Sequence, residues 1–556
     1  MHQNIRVACA AMLAALGAGV VLQNANGATP SDQPPSLVTI ADGQLKGAVA
    51  GDVVSFKAVP FAAPPVGPLR WREPAPVKPW ASARDSSQFG APCAQADLDW
   101  NKSTAAKSSE DCLTLNVWTP LRHDKALPVM IFFPGGAYHG GGSKGANEIE
   151  PSYDGGRLAK RGVIVVTANY RLGLFGFLAH PELSAESPHH VSGNYALLDQ
   201  IAAMNWVKAN IAKFGGDPAN VTISGQSAGS YSVGFLMTSP LAKGLFAKAI
   251  GFSGSVADYR LGAGDLKGAE AKGATFIKGF GDKTGIAALR AKPAADVFKI
   301  MMADAKLHAI EPRGPVVDGY VFPEQPALVF KQGHEAQVPF IIGNTARDGD
   351  VDSMGVSGTP KSAATLADKS RPLVATHKVA ALGPDGVKQI EDYYAANKDL
   401  AQQAVKLYGD KSGANPADGD VITVFNTDID FRCGAGLTAH WHARTAPAWR
   451  YQFSHGYEPL GGVHLWDMMY VFGWTQGAAD QPRDAKLVDQ EQRYLVNFAT
   501  RGDPNGPGLP AWNKSGPQDA YMDFTSDGAM GKTGLRTAAC NIYAQRIDRG
   551  MAALTK

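Results

Sequence analysis

Ser227 stands in the pentapeptide Gly225-Gln226-Ser227-Ala228-Gly229. A serine hydroxyl is a poor nucleophile at its own pKa. To attack a carbonyl it needs a base beside it, a third group to orient the base, and donors for the oxyanion that forms. The residues around Ser227 suit that task geometrically. Val221, Thr222 and Ile223 form a β-branched run suited to a buried strand. A sharp turn from strand to helix brings the two backbones nearly into collision, so the positions two residues either side of the serine must be small. Gly225 and Gly229 meet that need. Such a turn raises the hydroxyl above the sheet, beside a helix N-terminus. Upstream, the apolar run Val129 to Phe133 leads into Pro134-Gly135-Gly136-Ala137-Tyr138, with more glycine at Gly140 to Gly142. Backbone N–H groups reach a substrate oxygen only where side chains leave room, and this loop leaves it.

The pentapeptide alone is weak, because it recurs by chance. Its weight comes from an acid and a histidine placed beyond strands elsewhere in the chain. α/β-Hydrolases carry their catalytic groups in the order serine, acid, histidine, each on a loop after a strand. That order selects Ser227, Asp348 and His464. Asp348 comes after the apolar run Phe340 to Gly343, and His464 lies beyond Trp449 to Phe453. Asp350 and Asp352 rival Asp348 as the acid, and His455 rivals His464 as the base. His189, His190, His308 and His377 read as solvated loop histidines.

The elements that must position these groups are set by periodicity. Leu37 to Gly47 and Gly51 to Ala58 predict an antiparallel opening with turns at Asp42-Gly43 and Gly51-Asp52. Phe61 to Trp71 is too rich in proline for a helix or a central strand. Leu113 to Trp118, Val129 to Phe133 and Val163 to Ala168 predict strands. Leu197, Ile201, Met204, Val207 and Ile211 recur at helical spacing and stop at Gly215-Gly216-Asp217-Pro218. Strand, helix, strand means parallel pairing with a right-handed crossover. Ala249 to Ser253 is the next strand. Residues 256–337 and 355–445 read as mostly helical, as insertions that roof the sheet and not as separate domains. The expected fold is α/β: a large mixed, mostly parallel sheet flanked by helices.

The chain has 556 residues, is 45% hydrophobic and carries a formal charge of +2, so nothing favours nucleic acid or an anionic membrane as the main partner. Val7 to Leu22 is apolar and comes after His2 and Arg6, with small residues at Ala25-Asn26-Gly27. Residues 1–27 therefore read as a secretory signal peptide and 28–556 as a single mature domain. The apolar run is about 16 residues, a little short for a membrane anchor. The expected location is secreted or periplasmic, without stable membrane insertion. Export leaves Cys93, Cys112, Cys433 and Cys540. An even number in an exported chain points to disulfides, with three possible pairings. Cys93–Cys112 is the most local.

With these residues in view, the chain resembles the type-B carboxylesterases, the family that includes the cholinesterases. The resemblance rests on Phe61-Ala62-Ala63-Pro64-Pro65-Val66-Gly67, on Glu110-Asp111-Cys112-Leu113-Thr114-Leu115-Asn116-Val117 and on Asn169-Tyr170-Arg171-Leu172-Gly173. It rests also on Gly193-Asn194 through Asp199-Gln200 to Trp206-Val207, on the serine pentapeptide, and on His464 to Gly473. These span nearly the whole mature chain. The resemblance implies one catalytic domain with helical insertions forming a gorge and the active site at its base. It implies Ser227 as nucleophile, His464 as base and Asp348 as acid, where the family usually has glutamate. It implies oxyanion donors at the N–H groups of Gly136, Ala137 and Ala228, and Ser253 as a supporting hydrogen-bond partner. Cys93–Cys112 and Cys433–Cys540 match family disulfides, and Arg70–Glu110 and Arg171–Asp199 match family ion pairs.

Three departures stand out. Pro134 replaces a histidine found in many bacterial members, and Ala137 replaces a glycine. Gln226 replaces the usual glutamate before the nucleophile. That removes a negative charge from the gorge base and disfavours a quaternary ammonium substrate. Trp100 and Tyr138 fall where a gorge wall is expected. The implied reaction is hydrolysis of a small-molecule carboxylic ester through an acyl-enzyme, by a monomer or dimer, with no metal or organic cofactor. A lipase or an amidase on the same fold, and a non-catalytic binding protein, are the alternatives.

Overall fold

In the computed structural model of the protein, the described residues are 36–147, 150–258, 264–281, 284–350, 382–410, 418–456, 461–473 and 482–554. The expected signal peptide at 1–27, the rival acid Asp352 and His377 lie outside them.

Eleven strands pair into one sheet. In chain order they are β1 (Ala48–Ala50), β2 (Val53–Pro60), β3 (Thr114–Pro120), β4 (Leu127–Phe133), β5 (Ile164–Ala168), β6 (Gly216–Gln226), β7 (Lys248–Phe252), β8 (Phe340–Thr345), β9 (Ala448–Phe453), β10 (Ala520–Thr525) and β11 (Gly528–Thr533). Their order across the sheet is β11-β10-β9-β8-β7-β6-β4-β5-β3-β2-β1. The run from β10 to β5 is parallel, and both margins are antiparallel. Leu37–Ile40 and Gly43–Lys46 form a separate hairpin, so the antiparallel opening is two hairpins in two sheets.

The parallel strands are apolar on both faces because helices cover both. Val129, Ile131 and Phe133 of β4 point into one core, and Met130 and Phe132 into the other. That is the period-2 alternation of a strand with no solvent face. The helices relevant below are α1 (Gly173–Phe177), α2 (Tyr195–Asn210), α3 (Ala228–Thr238), α4 (Leu266–Lys278), α5 (Ile286–Ala291), α6 (Ala294–Ala303), α7 (Ala305–Ala309), α8 (Cys433–His442), α9 (Trp466–Phe472), α10 (Pro482–Arg501) and α11 (Thr537–Leu554). α2 is the helix expected from Leu197 to Ile211. It makes the crossover between β5 and β6, with Leu197, Met204 and Val207 fully buried.

The second helical stretch departs from expectation at its end. Its sequence places α8 among roofing helices. The helix packs instead in the same core as the sheet, where Ala435, Ala439 and Trp441 are buried with Phe340 and Ala448. It carries small and aromatic residues around most of its circumference, which fits burial more than a surface stripe. The sulfurs of Cys433 on α8 and Cys540 on α11 lie 2.03 Å apart, and those of Cys93 and Cys112 lie 2.02 Å apart. Among the described residues no helix is long and apolar enough to cross a membrane.

Parallel register decides where chemistry collects. Phe133 pairs with Gly225, Gln226 with Phe252, Phe252 with Gly343, and Thr345 with Phe453. The carboxyl ends of β4, β6, β7, β8 and β9 therefore lie side by side. Loops leaving those ends share one edge, the edge at which open α/β sheets bind ligands.

Candidate active site

The turn after β6 is as tight as its glycines imply. A methyl group at Gly225 would collide with the Gly229 carbonyl, and one at Gly229 with the Phe133 carbonyl. Strand, helix and glycine loop thus meet without space for a side chain. Ser227 carries the strain, at φ 54° and ψ −121°. Such a non-glycine conformation costs on the order of 1–3 kcal/mol and persists only where the surroundings enforce it. Its own N–H donates to the Phe252 carbonyl at 2.8 Å, which ties the turn to β7.

Asp348 and His464 are brought together by backbone. The Ala346 N–H donates to the Phe453 carbonyl, and the Arg347 N–H to the Gly462 carbonyl, each at 2.9 Å. The loop after β8 is so fastened to the loop after β9. The result is a hydrogen bond of 2.8 Å between His464 Nδ1 and Asp348 Oδ1. Asp348 is fully buried, and its other oxygen accepts the Thr345 N–H at 2.8 Å. A carboxylate so held fixes the plane of the imidazole it accepts from. With Nδ1 donating to it, Nε2 is left with its lone pair.

That Nε2 lies 3.2 Å from Gln226 Nε2, whose amide can donate to it. Among the described residues the Ser227 hydroxyl makes no hydrogen bond. The imidazole therefore faces the residue next to the serine. Unliganded hydrolases often show a loose nucleophile–base contact that tightens on binding. Phe431 flanks the ring, with centroids 5.0 Å apart.

The glycine loop leaves donors free. The N–H groups of Gly136, Ala137 and Ala228 donate to no acceptor among the described residues. The Ala228 N–H is free as the first of its helix, and those of Gly136 and Ala137 are left free by the shape of the glycine loop. The loop holds an unusual shape, with φ of 105° at Gly136, 52° at Ala137 and 63° at Tyr138. Gly136 fits that region without strain; the next two residues do not.

Other expected residues take various places. Ser253 is buried beside the elbow at φ 54°, but its hydroxyl has no hydrogen-bond partner among the described residues. The expected supporting hydrogen bond is absent in this conformation, and the Ser253 N–H donates to the Gly343 carbonyl at 2.9 Å. Trp100 is only 2% exposed and packs its ring edge where Gly136 and Gly140 leave space. It backs the glycine loop and offers no open face to a cation. Tyr138 is buried, with its hydroxyl 3.1 Å from Ser232 Oγ. The rival acid Asp350 pairs with Arg347, and the rival base His455 binds Asp484 Oδ1 at 2.8 Å and Ser526 Oγ at 3.0 Å. Arg70–Glu110 and Arg171–Asp199 both form, the latter buried and bidentate.

Asp467 escaped the sequence reading. It lies in the first turn of α9, fully buried, and accepts from Tyr451 Oη at 2.8 Å. Burial, then the nearby Asp348 carboxylate, pushes its pKa up to about 7. Its only sequence signal is a position three residues after His464, with nothing to say that the side chain points inward. Among the described residues no cluster of side chains fits a metal ion.

A tight strand-to-helix turn, a histidine–carboxylate pair and a glycine loop on one edge of a mostly parallel sheet define an α/β-hydrolase. Comparison with known proteins agrees with that class. The carboxylesterase family profile matches residues 34–543, and the chain belongs to this family. It is 36% identical over 527 residues to the fumonisin B1 esterase of Sphingopyxis macrogoltabida, covering 91% of this chain and 89% of that one. It is 32% identical over 511 residues to the para-nitrobenzyl esterase of Bacillus subtilis (strain 168), covering 88% and 94%. A solved PNB esterase superposes with a TM-score of 0.74 at 28% identity, covering 92% of this chain and 99% of that one. The protein is thus a carboxylic ester hydrolase acting on small-molecule esters.

Proposed function

We propose that the protein hydrolyses carboxylic esters through an acyl-enzyme, with Ser227 as nucleophile, His464 as general base and acid, and Asp348 as the group that orients the base. His464 Nε2 takes the Ser227 proton as Oγ attacks the ester carbonyl. The N–H groups of Gly136, Ala137 and Ala228 hold the oxyanion; one such donor is typically worth about 2.7–4 kcal/mol. The imidazolium then protonates the leaving alcohol. Water, deprotonated by the same Nε2, attacks the acyl carbonyl and frees the acid and Ser227. The observation that carries this reading is the 2.8 Å bond from His464 Nδ1 to Asp348, which leaves Nε2 turned toward the elbow.

We also assign Cys93–Cys112 and Cys433–Cys540 a structural role in an exported protein, with residues 1–27 as its removable leader. Two disulfides and the lack of a spanning helix among the described residues are compatible with a periplasmic or extracellular setting. The Sphingopyxis relative's name nominates fumonisin B1 as one ester for a substrate panel, beside aryl acetates and para-nitrobenzyl esters. Turnover of an activated aryl ester by Ser227→Ala tests the mechanism: loss of activity in a folded variant supports it, and retained activity removes Ser227 from its role.

A further inference from the structure

Glu311 lies far from the triad in the chain, in the insertion between β7 and β8, just beyond α7. Yet it is only 3% exposed on its side chain, while its neighbour Ile310 is 47% exposed. A carboxylate is buried at a cost unless it is paired and hydrogen-bonded. Its partners offset that cost. One oxygen accepts the Leu174 N–H at 3.2 Å, at the first turn of α1. The other lies 3.3 Å from His139 Nδ1. His308 Nδ1 and Arg313 Nη2 stand further off, each at 3.8 Å.

His139 comes directly after Tyr138 in the glycine loop. Its N–H donates to the Gly136 carbonyl at 2.9 Å, so it closes the turn that presents the Gly136 and Ala137 amides. The Tyr138 carbonyl in turn accepts the Gly173 N–H at 2.6 Å. Gly173 and Leu174 are adjacent, so α1 and the loop are joined at two neighbouring points, one direct and one through Glu311. Gly173 itself must lack a side chain, because a Cβ there would strike Glu311 Oε1. Ala137 and Tyr138 both hold positive φ, and strained backbone needs just such external ties.

We propose that Glu311 is a positioning residue for the oxyanion loop, its carboxylate clamping His139 to the amino end of the Gly173–Phe177 helix so that the Gly136 and Ala137 amides keep their aim. The proposal rests on the assignment of those amides as oxyanion donors. It makes the insertion a working part of the site and not only a cover. A preorganised donor counts in the transition state and little in the ground state, so loss of the clamp lowers kcat and leaves KM nearly alone.

The test uses the full chain and a short aryl ester, with an aryl trifluoromethyl ketone as a probe that becomes tetrahedral at the serine. Glu311→Ala is expected to lower kcat by about 10- to 100-fold, the scale of a displaced or lost donor. KM is expected to stay within about threefold, and the ketone to bind weaker by the same factor as kcat falls. Glu311→Gln keeps an acceptor for Leu174 and is expected to recover part of the loss; it is also the variant to read if the alanine form does not fold. Unchanged kcat and ketone affinity in a folded Glu311→Gln or Glu311→Ala protein would overturn the clamp. A rise in KM alone would also overturn it, by placing Glu311 in substrate binding. Ser227→Ala runs beside them: if it stays active, the serine mechanism fails, whereas a dead Ser227→Ala with an unaffected Glu311→Ala sinks only the clamp.

Discussion

The strand-end floor of the site and the helical insertion between β7 and β8 are built on different principles. In the floor, side chains are excluded. Gly225, Gly229 and Gly135 bring β6, α3 and the loop after β4 into backbone contact, and every residue of β4, β5 and β7 is buried. In the insertion, side chains do the packing. α6 turns Val297 and Met301 inward and leaves Ile300 and Met302 at 36% and 40% exposure. Its helices pack as a satellite cluster against Trp71, Phe175 and Leu178. A floor fixed by backbone tolerates almost no change. An insertion held by one apolar stripe per helix tolerates more, except where a side chain such as Glu311 reaches down to the glycine loop.

That contrast breaks most sharply at the reacting groups. Ser227→Ala is expected to lower kcat/KM for an aryl ester by at least about 10⁴-fold, and Asp348→Asn by about 10³- to 10⁴-fold. The asparagine stabilises the wrong tautomer of His464 without emptying the site. Steady-state kinetics on folded protein, checked by circular dichroism, measure both. An Asp348→Asn variant with near-native rates would transfer the acid's role elsewhere.

Next come the ties that hold the floor's margins. The Cys433–Cys540 bridge spans 107 residues of sequence. In the chain-entropy account a loop of that size contributes about 4–5 kcal/mol. Paired Cys433→Ser and Cys540→Ser substitutions should therefore lower stability by several kcal/mol, read as a fall in denaturation midpoint. The Cys93–Cys112 pair closes a far shorter loop and should matter less, about 3 kcal/mol.

Asp467 offers a sharper probe, because its effect depends on pH. Burial raises its pKa from 3.8 to about 7. A carboxyl raised in the folded state favours folding while it is protonated. That contribution is present in full below the unfolded pKa, shrinks as pH rises, and is gone once pH passes about 7. Asp467→Asn removes the buried charge. Relative to wild type, the variant should gain about 3 kcal/mol of stability between pH about 5 and about 8, at about 1.4 kcal/mol for each pH unit up to the folded pKa. Urea denaturation at both pH values decides it, and a parallel offset at both would show that Asp467 does not ionise there.

Legibility divides along the same line. Ser227, Asp348, His464 and the glycine loop can be nominated from sequence because each follows a short β-branched or apolar run, directly or by a loop, and parallel register aligns the ends of those runs. Small residues at fixed spacing report a close backbone approach directly. The insertion is readable only as helix. The place of α8 is hidden because its small residues carry no stripe to show which neighbour they face. Asp467 and Glu311 are invisible, since an acid in a polar-looking stretch reads as solvated, and only the packing of distant elements buries it. Trp100 can be placed in the disulfide loop, but the direction of its ring depends on Gly136 and Gly140, which the sequence does not orient.

The smallest expected effect is therefore the most instructive about the insertion. Ile310 and Glu311 are consecutive, yet one is exposed and the other buried. If the insertion were a fixed part of the floor, both would be sensitive. Ile310→Ser should change stability by no more than about 0.5 kcal/mol, the usual range for surface positions. It should leave kcat for a short aryl ester unchanged. A loss at Ile310 comparable to that at Glu311 would mean that the whole segment, and not one carboxylate, sets the loop. The difference between two neighbouring residues then separates a surface free to drift from the contact proposed to hold the glycine loop.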